Sequence, residues 1–301
     1  MLKVLLLGSN GYIGSKFYTD YKLDYKFSLI DSCWHDEPLF PNTIQLNYKE
    51  LTSSFIQKFD AVVLLAAHSS VPMCKGDFLD SYKNNVDNFV SLVSKLDKKQ
   101  KFIYASSSSV YGVVDSPVSE NHLCFETYEN YDTQKIITDL IVSKMGLKYY
   151  GLRFGTVNGY SPHTRDDIML NVMTKSAIEK GEVNIFNPDT KRPILAVGDL
   201  SRAMAKIINT DSDNFGIYNL ASFNSNVKEL GLIVSNFFKV DLKDHGDNGN
   251  KTYDFAIDST KFINDFDFTF EYDAVKIIEE LKNNYSNIKW TSRKLNKKEY
   301  I

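Results

Sequence analysis

Residues Met1 to Gly14 read MLKVLLLGSNGYIG, and everything after them is arranged around this segment. Val4 to Leu7 is an unbroken apolar run closed by Gly8, the pattern of a strand buried on both faces. Gly8, Gly11 and Gly14 follow at three-residue intervals, and Tyr12 onward continues as a helix. A strand, a glycine turn and a helix N-terminus together make a pyrophosphate site. Glycine lets the backbone come close, and the unpaired helix N–H groups point at the anion. The spacing is G-x-x-G-x-x-G, with Ser9 standing where the G-x-G-x-x-G form has a glycine.

Working outward, Phe27 to Ile30 reads as a second strand ending at Asp31, which stands 17 residues after Gly14. That interval is close to the roughly 20 residues that separate a glycine turn from the acid on the adenosine ribose. A carboxylate there accepts from ribose hydroxyls and repels a 2′-phosphate, and Ser32, Cys33 and Trp34 offer no cation to hold one. NAD is therefore favoured over NADP. Asp60 to Ala67, Lys101 to Ala105 and Leu147 to Phe154 read as further strands, with helices over Phe78 to Leu96 and Tyr128 to Met145. Strands alternating with helices imply an α/β fold with a Rossmann-type doubly wound parallel sheet. Beyond Gly155 the chain becomes loop-rich, with helices expected near 168–180, 200–208, 227–238 and 274–285. Lys191 to Asp199 and Gly216 to Leu220 read as strands. No linker interrupts the chain, so a smaller α/β domain is expected to interleave with the first. The expected division is 1–155 with 191–222 for the cofactor, and 156–190 with 223–301 for substrate.

Composition narrows the class. The 301 residues are 43% hydrophobic, enough for a sizeable core. A net charge of −3 gives no footprint for nucleic acid, and the late basic residues Lys289, Arg293, Lys294, Lys297 and Lys298 read as a solvated tail. Three scattered cysteines and five scattered histidines show neither disulfide nor metal-ligand spacing. No run is long enough for a membrane span or a signal-peptide core, so a soluble cytoplasmic protein without a metal is expected.

The chemistry is expected at Tyr131 and Lys135, four residues apart on one helix face. A phenol of pKa about 10 is a poor base at neutral pH, and an adjacent ammonium stabilises the phenolate. Four other Y-x-x-x-K pairs occur, beginning at Tyr12, Tyr18, Tyr272 and Tyr285. Only Tyr131 opens a helix 24 residues after Ser107, in the run Ser106-Ser107-Ser108-Ser109-Val110-Tyr111-Gly112.

With these residues in place, the chain resembles the extended short-chain dehydrogenase/reductases, specifically the NAD-dependent nucleotide-sugar epimerases and dehydratases. The similarity runs through GSNGYIG, LID, VVLLAAHSSV, NNV, YASSSSVYG, YDTQK, LRFGTVNG and KRPILAVGD, in order. It implies that Gly8, Gly11, Tyr12, Ile13 and Gly14 hold the pyrophosphate and Asp31 the ribose. Ser32, Leu65, Ala66, Ala67, Asn85, Ala105 and Phe154 would complete the cofactor site, although Asn85 reads equally well as a buried structural amide. Ser107, Tyr131 and Lys135 would be catalytic, the last two also touching cofactor. Arg192 would pair with the nucleotide diphosphate, with Ser107, Ser108 and Thr156 toward the sugar. The resemblance also implies a homodimer built on the helices of 78–96 and 128–145.

Departures from the family pattern are informative. LRFGTVNG carries Thr156 and Asn158 where the family has asparagine and tyrosine, so Asn171 becomes the better phosphate candidate. Lys251 stands in for a missing second arginine, and Gln45 falls near the usual adenine-contacting aspartate. Dehydratases carry Asp-Glu where this chain has Ser108 and Ser109, and two serines supply no ionisable pair. Hydride chemistry at one sugar carbon is expected, most of all 4-epimerisation. A 4-dehydrogenase or ketoreductase is the alternative, and a non-catalytic NAD-binding protein comes after both.

Overall fold

Four apolar residues in a row suit a strand with helices on both sides, and this is where β1 lies. The computed structural model describes residues 1–291 apart from 35–36, 76–77, 115–116, 125–126, 128 and 250–252. In chain order the first strands are β1 (Lys3–Leu7), β2 (Lys26–Asp31), β3 (Thr43–Gln45), β4 (Ala61–Leu64), β5 (Lys101–Ser107), β6 (Lys148–Phe154) and β7 (Thr156–Asn158). They are followed by β8 (His163–Arg165), β9 (Glu182–Ile185), β10 (Lys191–Ala196), β11 (Gly216–Leu220), β12 (Phe223–Asn226), β13 (Asp241–Asp244) and β14 (Lys289–Thr291). The large sheet has seven parallel strands in the order β11-β6-β5-β4-β1-β2-β3. Val4 and Leu6 face one core layer with Phe17, Leu200 and Met204, while Leu5 and Leu7 face the other with Phe89, Leu92 and Phe102. The chain winds outward one way through β2 and β3 and then crosses to β4 on the other side of β1. A crevice forms at that reversal, beyond the strand C-termini.

The smaller part gathers β12-β10-β7, β13-β9 and β14-β8 around the helices Met169–Lys180, Val227–Phe238 and Ala274–Asn283. Residues 191–222, assigned above to the cofactor domain, divide between the two parts. The Val197–Asn209 helix packs on the large sheet and β11 extends it, but β10 pairs parallel with β7 and antiparallel with β12. Gly155 allows this close approach, since a Cβ there would lie 2.8 Å from the Pro193 carbonyl oxygen. The helix expected over 78–96 breaks into Phe78–Tyr82, a π turn at Lys83–Asp87, and Asn88–Val93. The widened turn carries Asn85, whose side chain is held from two directions, and such bulges accompany sites of function. Among the described residues no helix is long and apolar enough to cross a membrane, and no cluster of His, Cys, Asp or Glu is placed to hold a metal.

Candidate active site

The glycine turn is fixed by sterics. Gly8 has φ +93°, and a Cβ on it would lie 2.6 Å from the Ala66 nitrogen. On Gly14 a Cβ would lie 2.0 Å from the Gly8 oxygen, whereas on Gly11 the nearest atom is 3.4 Å away. Gly8, Gly11 and Tyr12 line a groove with Asp31, Ser32, Leu65, Ala66 and Ala67. Asp31 is braced there: Oδ2 accepts the Asn10 N–H and Oδ1 the Cys33 N–H, both at 2.8 Å. His163 sits across the groove, its Nδ1 2.5 Å from the Asn10 carbonyl and its buried Nε2 without a partner in the protein.

The groove opens into a cavity of about 760 Å³ lined by Ile13, Gly14, Ala105, Ser107, Tyr131, Lys135, Phe154, Thr156 and Arg192. Ser107 ends β5, and Tyr131 and Lys135 ride the first turns of the Asn130–Val142 helix packed beside it. The Lys135 ammonium donates to the Ala105 carbonyl at 2.6 Å and lies 5.5 Å from the centre of the Tyr131 ring. Burial pushes the Tyr131 phenol up to about 12, against the downward pull that a hydrogen bond donated by Ser107 would exert. The lowering expected from the sequence needs the positive nicotinamide ring as well as the ammonium, and in the protein alone desolvation of the phenolate outweighs its neighbours. Burial likewise pulls Lys135 down to about 8, against the opposing pull of Asp139 and Cys74.

Residues 4–221 match the model of the NAD dependent epimerase/dehydratase family. The chain belongs to this family. Its cofactor is NAD, and the groove fits it, with a carboxylate at the end of β2 and a turn that has no room for a side chain at Gly8 or Gly14. A UDP-glucose 4-epimerase from Lactobacillus helveticus is 27% identical over 213 residues, 62% of this chain and 64% of that protein. The fold is shared with a UDP-glucuronic acid 4-epimerase from Bacillus cereus solved with UDP-glucuronic acid and NAD. It has a TM-score of 0.83 at 20% identity, over 95% of this chain and 99% of the other. An NAD-dependent NDP-hexosamine 5,6-dehydratase of tunicamycin biosynthesis shares it too, with a TM-score of 0.81 at 16% identity over 96% and 99%. At these identities the solved structures speak for the fold alone.

Within this epimerase/dehydratase frame, several assigned residues spend their polar atoms on the protein itself. Asn85 is buried, with Oδ1 accepting from the His68 N–H at 2.8 Å and Nδ2 donating to Gln134 Oε1 at 2.7 Å. It braces the site wall and has no polar atom left for a cofactor. Asn171, the proposed phosphate ligand, is fully buried: Oδ1 accepts the Gly159 N–H and Nδ2 donates to the Arg165 carbonyl, both at 2.9 Å. Ser108 turns away from the cavity and donates to the Phe154 carbonyl at 2.6 Å. Gln45 is exposed on β3 and does not line the groove, and Lys251 lies outside the described residues.

Four residues that the sequence reading passed over stand at the site. Arg165 and Asp167 form a two-pronged pair at 2.8 and 2.7 Å in the cavity wall. Tyr253 reaches the cavity from the far end of the chain, and its hydroxyl donates to buried Asp132 at 2.8 Å. Arg165 carried a signal, a cation at the end of β8 in the polar stretch after β7. Asp132 carried a plainer one, a carboxylate adjoining the base.

Proposed function

We propose that the protein interconverts two nucleotide-activated hexoses by 4-epimerisation through a transient 4-keto sugar. The observation that carries this reading is the convergence of Ser107, Tyr131 and Lys135 on one cavity wall, with no ionisable side chain turned inward at positions 108 and 109. Asp132, the nearest buried carboxylate, has both oxygens occupied by Ser109 and Tyr253 and is closed to substrate. Tyr131 takes the proton of the C4 hydroxyl as that carbon gives up its hydrogen as hydride, and Ser107 adjoins the same oxygen. NAD, when bound, supplies the hydride acceptor and, in its oxidised form, a positive ring beside the phenol. Arg192, with Arg165 near it in the wall, offers guanidinium groups to a diphosphate. A cavity of about 760 Å³ leaves room for the ketone to turn and present its other face.

The test is a screen of UDP-, GDP-, dTDP- and CDP-hexoses with product NMR, followed by the active sugar deuterated at C4. Label retained at C4 with inverted configuration is the expected result. Label released on free NADH would make the protein a 4-dehydrogenase, and loss of the C6 hydroxyl would make it a dehydratase.

A further inference from the structure

Immediately after Tyr131, Asp132 buries its carboxylate in the first turn of the Asn130–Val142 helix. Its Oδ1 accepts the Ser109 hydroxyl at 2.6 Å, within the range of a charge-assisted bond, and its Oδ2 accepts the Tyr253 hydroxyl at 2.8 Å. Ser109 Oγ lies 2.7 Å from Ser107 Oγ. A serine hydroxyl has one proton to give. Ser109 gives its proton to Asp132, so the Ser107 proton is committed to Ser109. The Ser109 N–H, 3.2 Å away, also points at Ser107 Oγ. With Asp132 ionised, Ser107 therefore has no proton to offer Tyr131, and the hydrogen bond from Ser107 that would draw the phenol down is withheld.

A proton on Asp132 reverses the sequence. Asp132 then gives to Ser109, Ser109 to Ser107, and Ser107 to the oxygen of Tyr131. Only O–H hydrogens move, and no bond between heavy atoms changes. We propose that Asp132 is a positioning residue that sets the direction of the Ser109–Ser107 hydroxyl chain, and so whether Tyr131 stands as acid or as base. The proposal rests on Tyr131 being the acid–base group of the reading above, but not on which sugar is turned over. An epimerase takes a proton in one half-reaction and returns it in the other, and a chain with two directions serves both.

The surroundings make a proton on Asp132 easier to gain than on an exposed aspartate. Burial raises its carboxyl from the ordinary aspartate value, against the hydrogen bonds from Ser109, Tyr253 and the Glu129 backbone, while the Glu129 charge adds a smaller upward push. Glu129 is itself paired with Lys75 at 2.9 Å. Cys74, Cys124 and Tyr253 are the other titratable groups facing Asp132, while Cys74, Arg165 and Lys135 face Tyr131.

The experiment titrates the Tyr131 phenol by ¹³Cζ-tyrosine NMR in the NAD⁺-loaded protein, with the signal assigned by its loss in Tyr131→Phe. Ser109→Ala removes the acceptor that holds the Ser107 proton and leaves the Asp132 charge in place. Its phenol midpoint should fall by about one pH unit. Asp132→Asn can turn an amide N–H toward Ser109 and should lower the midpoint by at least as much. In the double variant the two effects should not add. An unmoved midpoint in Ser109→Ala overturns the proposal, as do fully additive shifts, which would mean that the charge acts through space. If Asp132→Asn does not fold, Ser109→Ala decides alone. NAD⁺ is the only ligand present, so a wrong choice of sugar leaves the outcome untouched.

Discussion

Tyr131 and Lys135 were picked out of five similar pairs by context alone, and the structure places both on the cavity wall. Tyr131→Phe keeps the ring and removes only the acid–base group, so turnover should vanish while NAD binding and the melting temperature stay close to wild type. Ser107→Ala should lose roughly 10²-fold in rate, measured as kcat on the active sugar. Lys135 gives a pH signature in stability. Its folded-state pKa of about 8 lies below the ordinary lysine value, so the unfolded chain binds that proton more tightly. The stability linked to Lys135 is therefore reduced below pH 8 and recovers as the pH climbs toward roughly 10.4. Urea denaturation of wild type against Lys135→Met, on both sides of that window, should show the rise in wild type only. The sequence could name these residues because their types and spacing are local properties. It does not reach the direction of the Asn171 and Ser108 side chains, which neighbours such as Gly159 and Phe154 set.

Among the elements, the turn from β1 into the Tyr12–Tyr21 helix has the least tolerance. Gly14→Ala puts a methyl group 2.0 Å from the Gly8 oxygen, and rigid backbone on both sides cannot yield, so a loss of about 2–3 kcal/mol and of NAD binding is expected. Gly11→Ala meets its nearest atom at 3.4 Å and should bind NAD within a few-fold of wild type. Calorimetry on the two variants separates them, and equal damage would show that the three glycines are not distinguished by sterics. The elements of the large sheet were legible because strands buried on both faces and helices with apolar stripes write their period into the chain. The short strands β7, β8, β12 and β14 span three or four residues each, too few for any period, and exist because partners from distant segments lie beside them. The break at Lys83–Asp87 was invisible because KNNVD carries no glycine or proline to mark it, and the buried positions Asn84 and Asn85 are polar.

For the whole molecule, the helical segments flanking the site leave apolar side chains in solvent. Leu79 is 67% and Leu140 60% exposed, with Phe78 and Val90 also open. A second copy of the chain is the occupant that the family resemblance suggests. Light scattering should give twice the chain mass at micromolar concentration, and Leu79→Glu with Leu140→Glu should give the monomer. The family match stops at residue 221, yet Tyr253 lines the large cavity, Thr291 lines the cofactor groove, and β14 pairs with β8 beside it. Recombination between this gene and a relative's would therefore not be neutral at that apparent seam. A hybrid carrying every recognised motif from this protein and the last eighty or so residues from another would inherit a foreign hydroxyl, or none, against Asp132. Lineages that exchange such tails have a route to an altered cavity wall that leaves every motif intact.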